Sequence, residues 1–173
     1  MPPSPLGGEG WGEGAISRRL LLLAPLALGA CGFTPAYGPG GGASGLRGQV
    51  AIEEPTDKLA YDLVARLDER LGHAGNPRWR LDHAITTDRI GVGITDANAV
   101  TRYNVTGAVD WSLVTLADGR VAARGRVESF TSYSATGSTV ATLAAETDAA
   151  TRLMQILADQ IATRLIAAPG LTP

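Results

Sequence analysis

The strongest constraint on the fold is a change of hydrophobic period along the second half of the chain. Between Trp79 and Tyr133 apolar residues recur at alternate positions, whereas between Thr139 and Ala167 they recur at helical spacing. The first pattern turns one face of a strand inward, and the second turns one stripe of a helix inward. Trp79, Leu81, His83 and Ile85 alternate with Arg78, Arg80, Asp82 and Ala84. Ile90, Val92 and Ile94 fall in the opposite phase, so a bulge or break is expected near Asp88. Tyr103, Val105, Val109, Trp111 and Leu113 then alternate with Asn104, Thr106, Asp110 and Ser112. Ala117-Asp118-Gly119-Arg120 supplies a hairpin turn of the Asp-Gly kind. After it Val121, Ala123, Val127 and Tyr133 continue the apolar face, opposite Arg120, Arg124, Arg126, Glu128 and Phe130. The region reads as an antiparallel meander with one buried side.

Two helices flank it. Before the meander, a short strand over Gln49–Glu53 ends at Pro55. Thr56 is the expected N-cap of the helix that follows, Asp57 falls in its first turn, and Gly72 is its expected stop. Leu59, Ala60, Leu63, Leu67 and Leu71 share one face of that helix, and Tyr61 points away from it. In the last helix Leu143, Ala150, Leu153, Met154, Leu157, Ile161 and Leu165 form one stripe, with Asp148, Arg152, Gln155 and Asp159 opposite. Neither helix is apolar all round, so both can cover one face of the sheet. The expected fold class is α+β, a two-layer sandwich of order β-α-β-β-β-α. Its sheet is four-stranded and mostly antiparallel, with both helices packed on one face.

The N-terminal part has a different logic. Arg18 and Arg19 precede an apolar run, Leu20 to Leu28, that is interrupted at Pro25 and closes at Gly29, Ala30 and Cys31. The run falls short of the roughly 20 apolar residues that span a bilayer, and its flanks match an export signal. Leu28-Gly29-Ala30-Cys31 resembles the bacterial lipobox, in which the cysteine takes a diacylglyceryl group before cleavage. Cys31 is the single cysteine of the chain, so an intramolecular disulfide is ruled out and lipid attachment is the expected use. One acyl chain holds only marginally, at about 0.8 kcal/mol per buried methylene, whereas several on one residue anchor firmly. The expected covalent group is N-acyl and S-diacylglycerol lipid on Cys31, with no other cofactor. Gly32 in place of an aspartate resembles the sorting signal of outer-membrane lipoproteins, giving a lipid-anchored protein on the periplasmic face. The general secretory route is preferred over a twin-arginine route.

The expected organisation is a signal peptide over 1–30, a lipidated flexible tether over 31–48, a folded domain over 49–168 and a tail over 169–173. Residues 1–14 are rich in Gly and Pro and out of place before a signal, so the start is expected nearer Ile16. The tether includes the run GPGGGASGLRG over 38–48.

Catalysis finds little support. His73 and His83 are the two histidines of the chain, the first just past a helix end and the second alternating into the apolar face. They make no zinc site, and no GxSxG elbow or activated nucleophile accompanies them. Gly91-Val92-Gly93 lacks the third glycine of a dinucleotide fingerprint. No catalytic and no metal residues are assigned. With 15 Lys+Arg against 17 Asp+Glu, the basic excess of a nucleic-acid binder is missing, and no nucleic acid is expected as partner.

Cys31-Gly32-Phe33-Thr34-Pro35-Ala36-Tyr37 resembles the CGFxPxY opening of the LptE family, the lipopolysaccharide-assembly lipoproteins. Thr101-Arg102-Tyr103, Ser129-Phe130-Thr131-Ser132-Tyr133 and the segment Ala158–Leu165 extend the resemblance to the last helix. It implies a non-enzymatic outer-membrane component of the lipopolysaccharide translocon, a plug and assembly factor of the LptD β-barrel. Its implied partners are LptD, lipopolysaccharide and, through the anchor, the outer membrane. Apart from the resemblance, Arg78, Arg80, Arg120, Arg124 and Arg126 occupy outward strand positions and are the candidate lipopolysaccharide contacts, since guanidinium suits phosphate. Pairing of these arginines with Asp82, Asp110 and Glu128 is the competing use. The alternative function is a generic outer-membrane lipoprotein acting as a periplasmic adaptor or scaffold, without lipopolysaccharide contact. A soluble lipid carrier is a third reading, and it needs a deep apolar pocket.

Overall fold

The computed structural model of the protein describes residues 45–96, 98–168 and 171, all within the compact unit Pro35–Pro173. The signal segment, Cys31 and the CGFxPxY stretch lie outside the described residues.

The chain runs β1 (Val50–Ile52), α1 (Lys58–Leu71), β2 (Trp79–Ile94), β3 (Val100–Thr115), β4 (Val121–Ser134) and α2 (Thr139–Ala167). The order β-α-β-β-β-α and the α+β class are those expected. The four strands lie in sequence order. β1 pairs parallel with β2, from Val50 opposite Trp79 to Ile52 opposite Leu81. The pairs β2–β3 and β3–β4 are antiparallel over almost their whole length.

Asp57, and not Thr56, is the N-cap of α1, its carboxylate accepting from the Ala60 N–H at 2.8 Å. A carboxylate at the cap meets an otherwise unpaired amide and the positive end of the helix dipole together. Gly72 closes the helix as expected, its N–H donating to the Asp68 carbonyl at 2.8 Å. The β3–β4 turn covers Leu116–Arg120, with Gly119 at φ +70°. That left-handed backbone is the conformation glycine adopts without strain.

The core lies between the sheet and the helices. Leu63, Leu67 and Leu71 of α1 meet Leu81, Val109, Leu113 and Val127 of the sheet and Leu153, Leu157, Ile161 and Leu165 of α2 in one buried cluster. Gly107 lets α2 approach β3, because a β-carbon there would lie 2.9 Å from Leu153 Cδ2 and 3.2 Å from Leu157 Cδ1. Leu46, which the sequence placed in the tether, is buried in the same cluster, as is Leu171 of the tail segment.

Three expectations need correction. β2 has no break at Asp88: it runs regularly to Gly91, and its register shifts fall at Gly91–Ile94. Ile90 and Val92 are out of phase because they belong to the outer face, where both are 49% exposed. Val121 sits beside the register shift at Val114 and is exposed, so it is not part of the apolar face. Leu143 is also exposed, because the first turns of α2 extend past the packed region, which begins near Ala145 and Ala149.

Candidate functional site

With both helices on one side, the other face of the sheet is left to solvent or a partner. Cross-strand register sets its rows. Asp82, Ser112 and Arg124 stand side by side, then Ala84, Asp110 and Arg126, then Thr86, Ala108 and Glu128, then Asp88, Thr106 and Phe130. Two shallow depressions lie on this face. One open depression of about 650 Å³ lies over Asp82, Ala84, Ser112 and Arg124, and another of about 480 Å³ lies over Thr86, Ala108, Glu128 and Phe130.

The candidate arginines fare differently. Arg80 donates two hydrogen bonds to the Asp82 carboxylate, from Nε at 2.6 Å and from Nη2 at 3.1 Å. Arg126 bridges strands, with Nη1 donating to Asp110 and Nε to Glu128, both at 2.7 Å. Hydrogen bonding to Asp82 and to Glu128, respectively, holds these two guanidinium groups above their usual range. Arg120 lies in the turn, 3.5 Å from Asp118. Arg78 sits before β2, with its guanidinium 5.0 Å from the Trp79 ring centroid. Arg124 projects from the same rows with no side-chain partner among the described residues. Arg80, Arg124 and Arg126 therefore share the outer face, whereas Arg78 and Arg120 lie at its end.

His83 is carried on the inner face with its side chain buried, and His73 is exposed past α1. Among the described residues no group of three or more His, Cys, Asp or Glu is placed to hold a metal.

A second cluster was not assembled from sequence. Tyr103 and Tyr133 are directly opposite across β3 and β4, stacked with ring centroids 5.4 Å apart. Arg89 lies over the Tyr103 ring at 5.1 Å, donates to the Tyr133 hydroxyl at 3.4 Å and pairs with Glu146 of α2 at 2.9 Å. Its signal was available: the two tyrosines are equidistant from Asp118, the centre of the β3–β4 register.

Burial pushes the Tyr133 hydroxyl above the usual tyrosine value, and the Arg89 hydrogen bond acts against that rise. An unfolded tyrosine ionises near pH ~10. The neutral form is thus favoured in the fold, and its contribution is present below that pH and lost as pH rises through the folded value. Urea midpoints measured from neutral to alkaline pH are expected to fall more steeply in the native protein than in Tyr133→Phe.

The structure thus defines a two-layer α+β domain whose sheet carries helices on one face and exposed charged rows on the other. The comparisons narrow that definition. The model of the family LptE, lipopolysaccharide-assembly, matches residues 48–165. The chain belongs to this family.

Among solved structures, a lipoprotein of Caulobacter crescentus CB15 is similar at TM-score 0.62 and 23% identity, covering 73% of this chain and 93% of its own. Lipoprotein B of Nitrosomonas europaea follows at TM-score 0.52 and 14% identity, with coverages of 69% and 82%. A minor lipoprotein of Acinetobacter baumannii is similar at TM-score 0.51 and 17% identity, with coverages of 69% and 89%. At these identities the likeness is one of fold. Among curated proteins no sequence matches the chain.

Proposed function

We propose that the protein is a non-enzymatic, lipid-anchored component of the lipopolysaccharide translocon of the Gram-negative outer membrane. In this reading it plugs the LptD β-barrel from the periplasmic side, assists barrel assembly and contacts lipopolysaccharide. The observation that carries the reading is the free sheet face within the region matched by the family, where ion-paired rows are polar and exposed. A barrel lumen is itself lined by polar side chains, so such a face suits it better than it suits a bilayer. The acyl chains on Cys31 would keep the domain at high local concentration beside its membrane partner. The relatives named above are themselves lipoproteins, which supports that anchor.

Within the face, Arg124 is the best-placed phosphate contact, since its guanidinium is not committed to a carboxylate. Arg80 and Arg126 would have to exchange one. The test is affinity purification of the tagged, lipidated chain from solubilised outer membranes. The expected result is a large β-barrel at equal stoichiometry, identified by mass spectrometry as LptD. Recovery of periplasmic proteins without a barrel would replace this reading with the adaptor. For the lipid contact, lipopolysaccharide binding by Arg124→Ala is expected to fall severalfold, and unchanged binding would remove the phosphate role from this face.

A further inference from the structure

The two long edges of the sheet are treated differently. Along β4, side chains of α2 reach the outward carbonyls. Arg152 donates to Ser132 at 3.5 Å, Gln160 to Glu128 at 3.4 Å, and Arg164 to Arg126. Covering an edge in this way keeps a sheet from pairing with other chains. The opposite edge belongs to β2 once β1 has ended. Glu53 extends the cover slightly, its N–H donating to the Leu81 carbonyl at 3.0 Å and its carboxylate accepting from the His83 N–H at 3.2 Å.

Main-chain groups of alternate residues point to the same side of a strand. Ile85, Thr87 and Arg89 therefore aim theirs in the direction of Leu81 and His83, away from β3. No strand pairs with them among the described residues, and Thr86 to Val92 are exposed. The Arg89 N–H is met by Asp88 Oδ1 at 2.7 Å, while Ile85 and Thr87 lack such a cap.

Beside this edge, on the helix side, a cavity of about 300 Å³ opens between α1, α2 and β2. Leu59, Val105, Ala150, Leu153 and Met154 line it with apolar surface, and Arg89 and Glu146 stand at its rim. The surrounding charge is lopsided. Asp88 and Glu146 line the cavity with Arg89, Asp62 and Lys58 share the adjoining depression with Glu146, and Glu53 caps the same strand edge at His83.

We propose that β2, over Ile85–Arg89, accepts an extended segment of a partner protein as an added strand. One apolar side chain of that segment enters the cavity, and Lys or Arg residues flank it. In strand addition the main chain supplies the hydrogen bonds and alternate side chains supply the selectivity. Here the exposed amides, the apolar cavity and the acidic rim meet in one place. A second copy of this chain is the poorer occupant, because self-pairing along this edge brings two acidic rims together. The proposal goes beyond the translocon role, since it holds whichever envelope protein supplies the strand.

The test uses the full lipidated chain in detergent and a synthetic peptide alternating Leu and Thr between terminal lysines. Saturable binding is expected, with slowed amide exchange at Ile85 and Thr87. A Glu-ended peptide should bind roughly tenfold more weakly, and N-methylation of alternate peptide amides should abolish binding. Thr87→Pro removes one edge donor and should do the same. Glu146→Lys, at the cavity rim, should weaken the Lys-ended peptide roughly tenfold and keeps the test open if the proline variant does not fold. Equal binding of the N-methylated peptide, absence of protection at Ile85 and Thr87, or a stable dimer already protecting those amides would overturn the proposal.

Discussion

Gly107→Val is expected to destabilise the domain by about 3 kcal/mol, with a fall in melting temperature of roughly 10 °C. The added side chain must enter space held by Leu153 and Leu157, both fully buried. Leu153→Ala is expected to cost a similar amount, about 3 kcal/mol, from the opposite cause, because it leaves a void where α2 meets the sheet. The decisive measurement is the double variant by urea denaturation. The void should take up the valine, so the combined loss should be smaller than the sum of the two single losses. Strict additivity would mean that Gly107 is kept for a reason other than the seating of α2.

The second large effect is all-or-none. Cys31→Ser is expected to move the protein from the outer-membrane fraction to the inner-membrane fraction, held there by its uncleaved signal segment, with the melting temperature of the folded domain unchanged. An oxygen cannot take the thioether-linked diacylglycerol, and processing that depends on the lipid should stop. Fractionation with blotting reads the first outcome and thermal denaturation the second. Outer-membrane retention of the serine variant would mean that the partner, and not the lipid, holds the protein in place.

The elements were legible in the sequence because each has a clear hydrophobic period. The meander, α1 and α2 all appear where alternation or helical spacing placed them, and α2 begins and ends at the expected residues. Exposure at the far end of the sheet was not legible. Ile90 and Val92 look like core residues of a shifted phase but keep the parity of the outer face, and Leu143 is exposed because the first turns of α2 extend past the packed region, which no local period encodes. The N-cap was misplaced by one residue because Thr56 and Asp57 are both good caps, and only geometry separates them. For the site, strand parity correctly placed Arg80, Arg124 and Arg126 outward. It could not say which carboxylate each would meet, because that depends on register across strands. The free edge of β2 was equally invisible, since it depends on the shortness of β1 and on where the helices lie.

The clasp between the helices bears on the order in which the molecule assembles. Arg66 donates to Asp159 through Nε and Nη2, both at 3.0 Å, and Arg70 adds a third bond at 3.1 Å. These partners are about ninety positions apart along the chain, while β2, β3, β4 and α2 follow one another through short connections. Local contacts close first, at the smallest entropic cost. β1 and α1 leave the ribosome earliest, yet they must wait for β2 and α2 before anything covers their apolar faces. The clasp therefore belongs to the last stage of folding. Its strength should govern how slowly the N-terminal unit comes loose and leave the speed of collapse almost untouched.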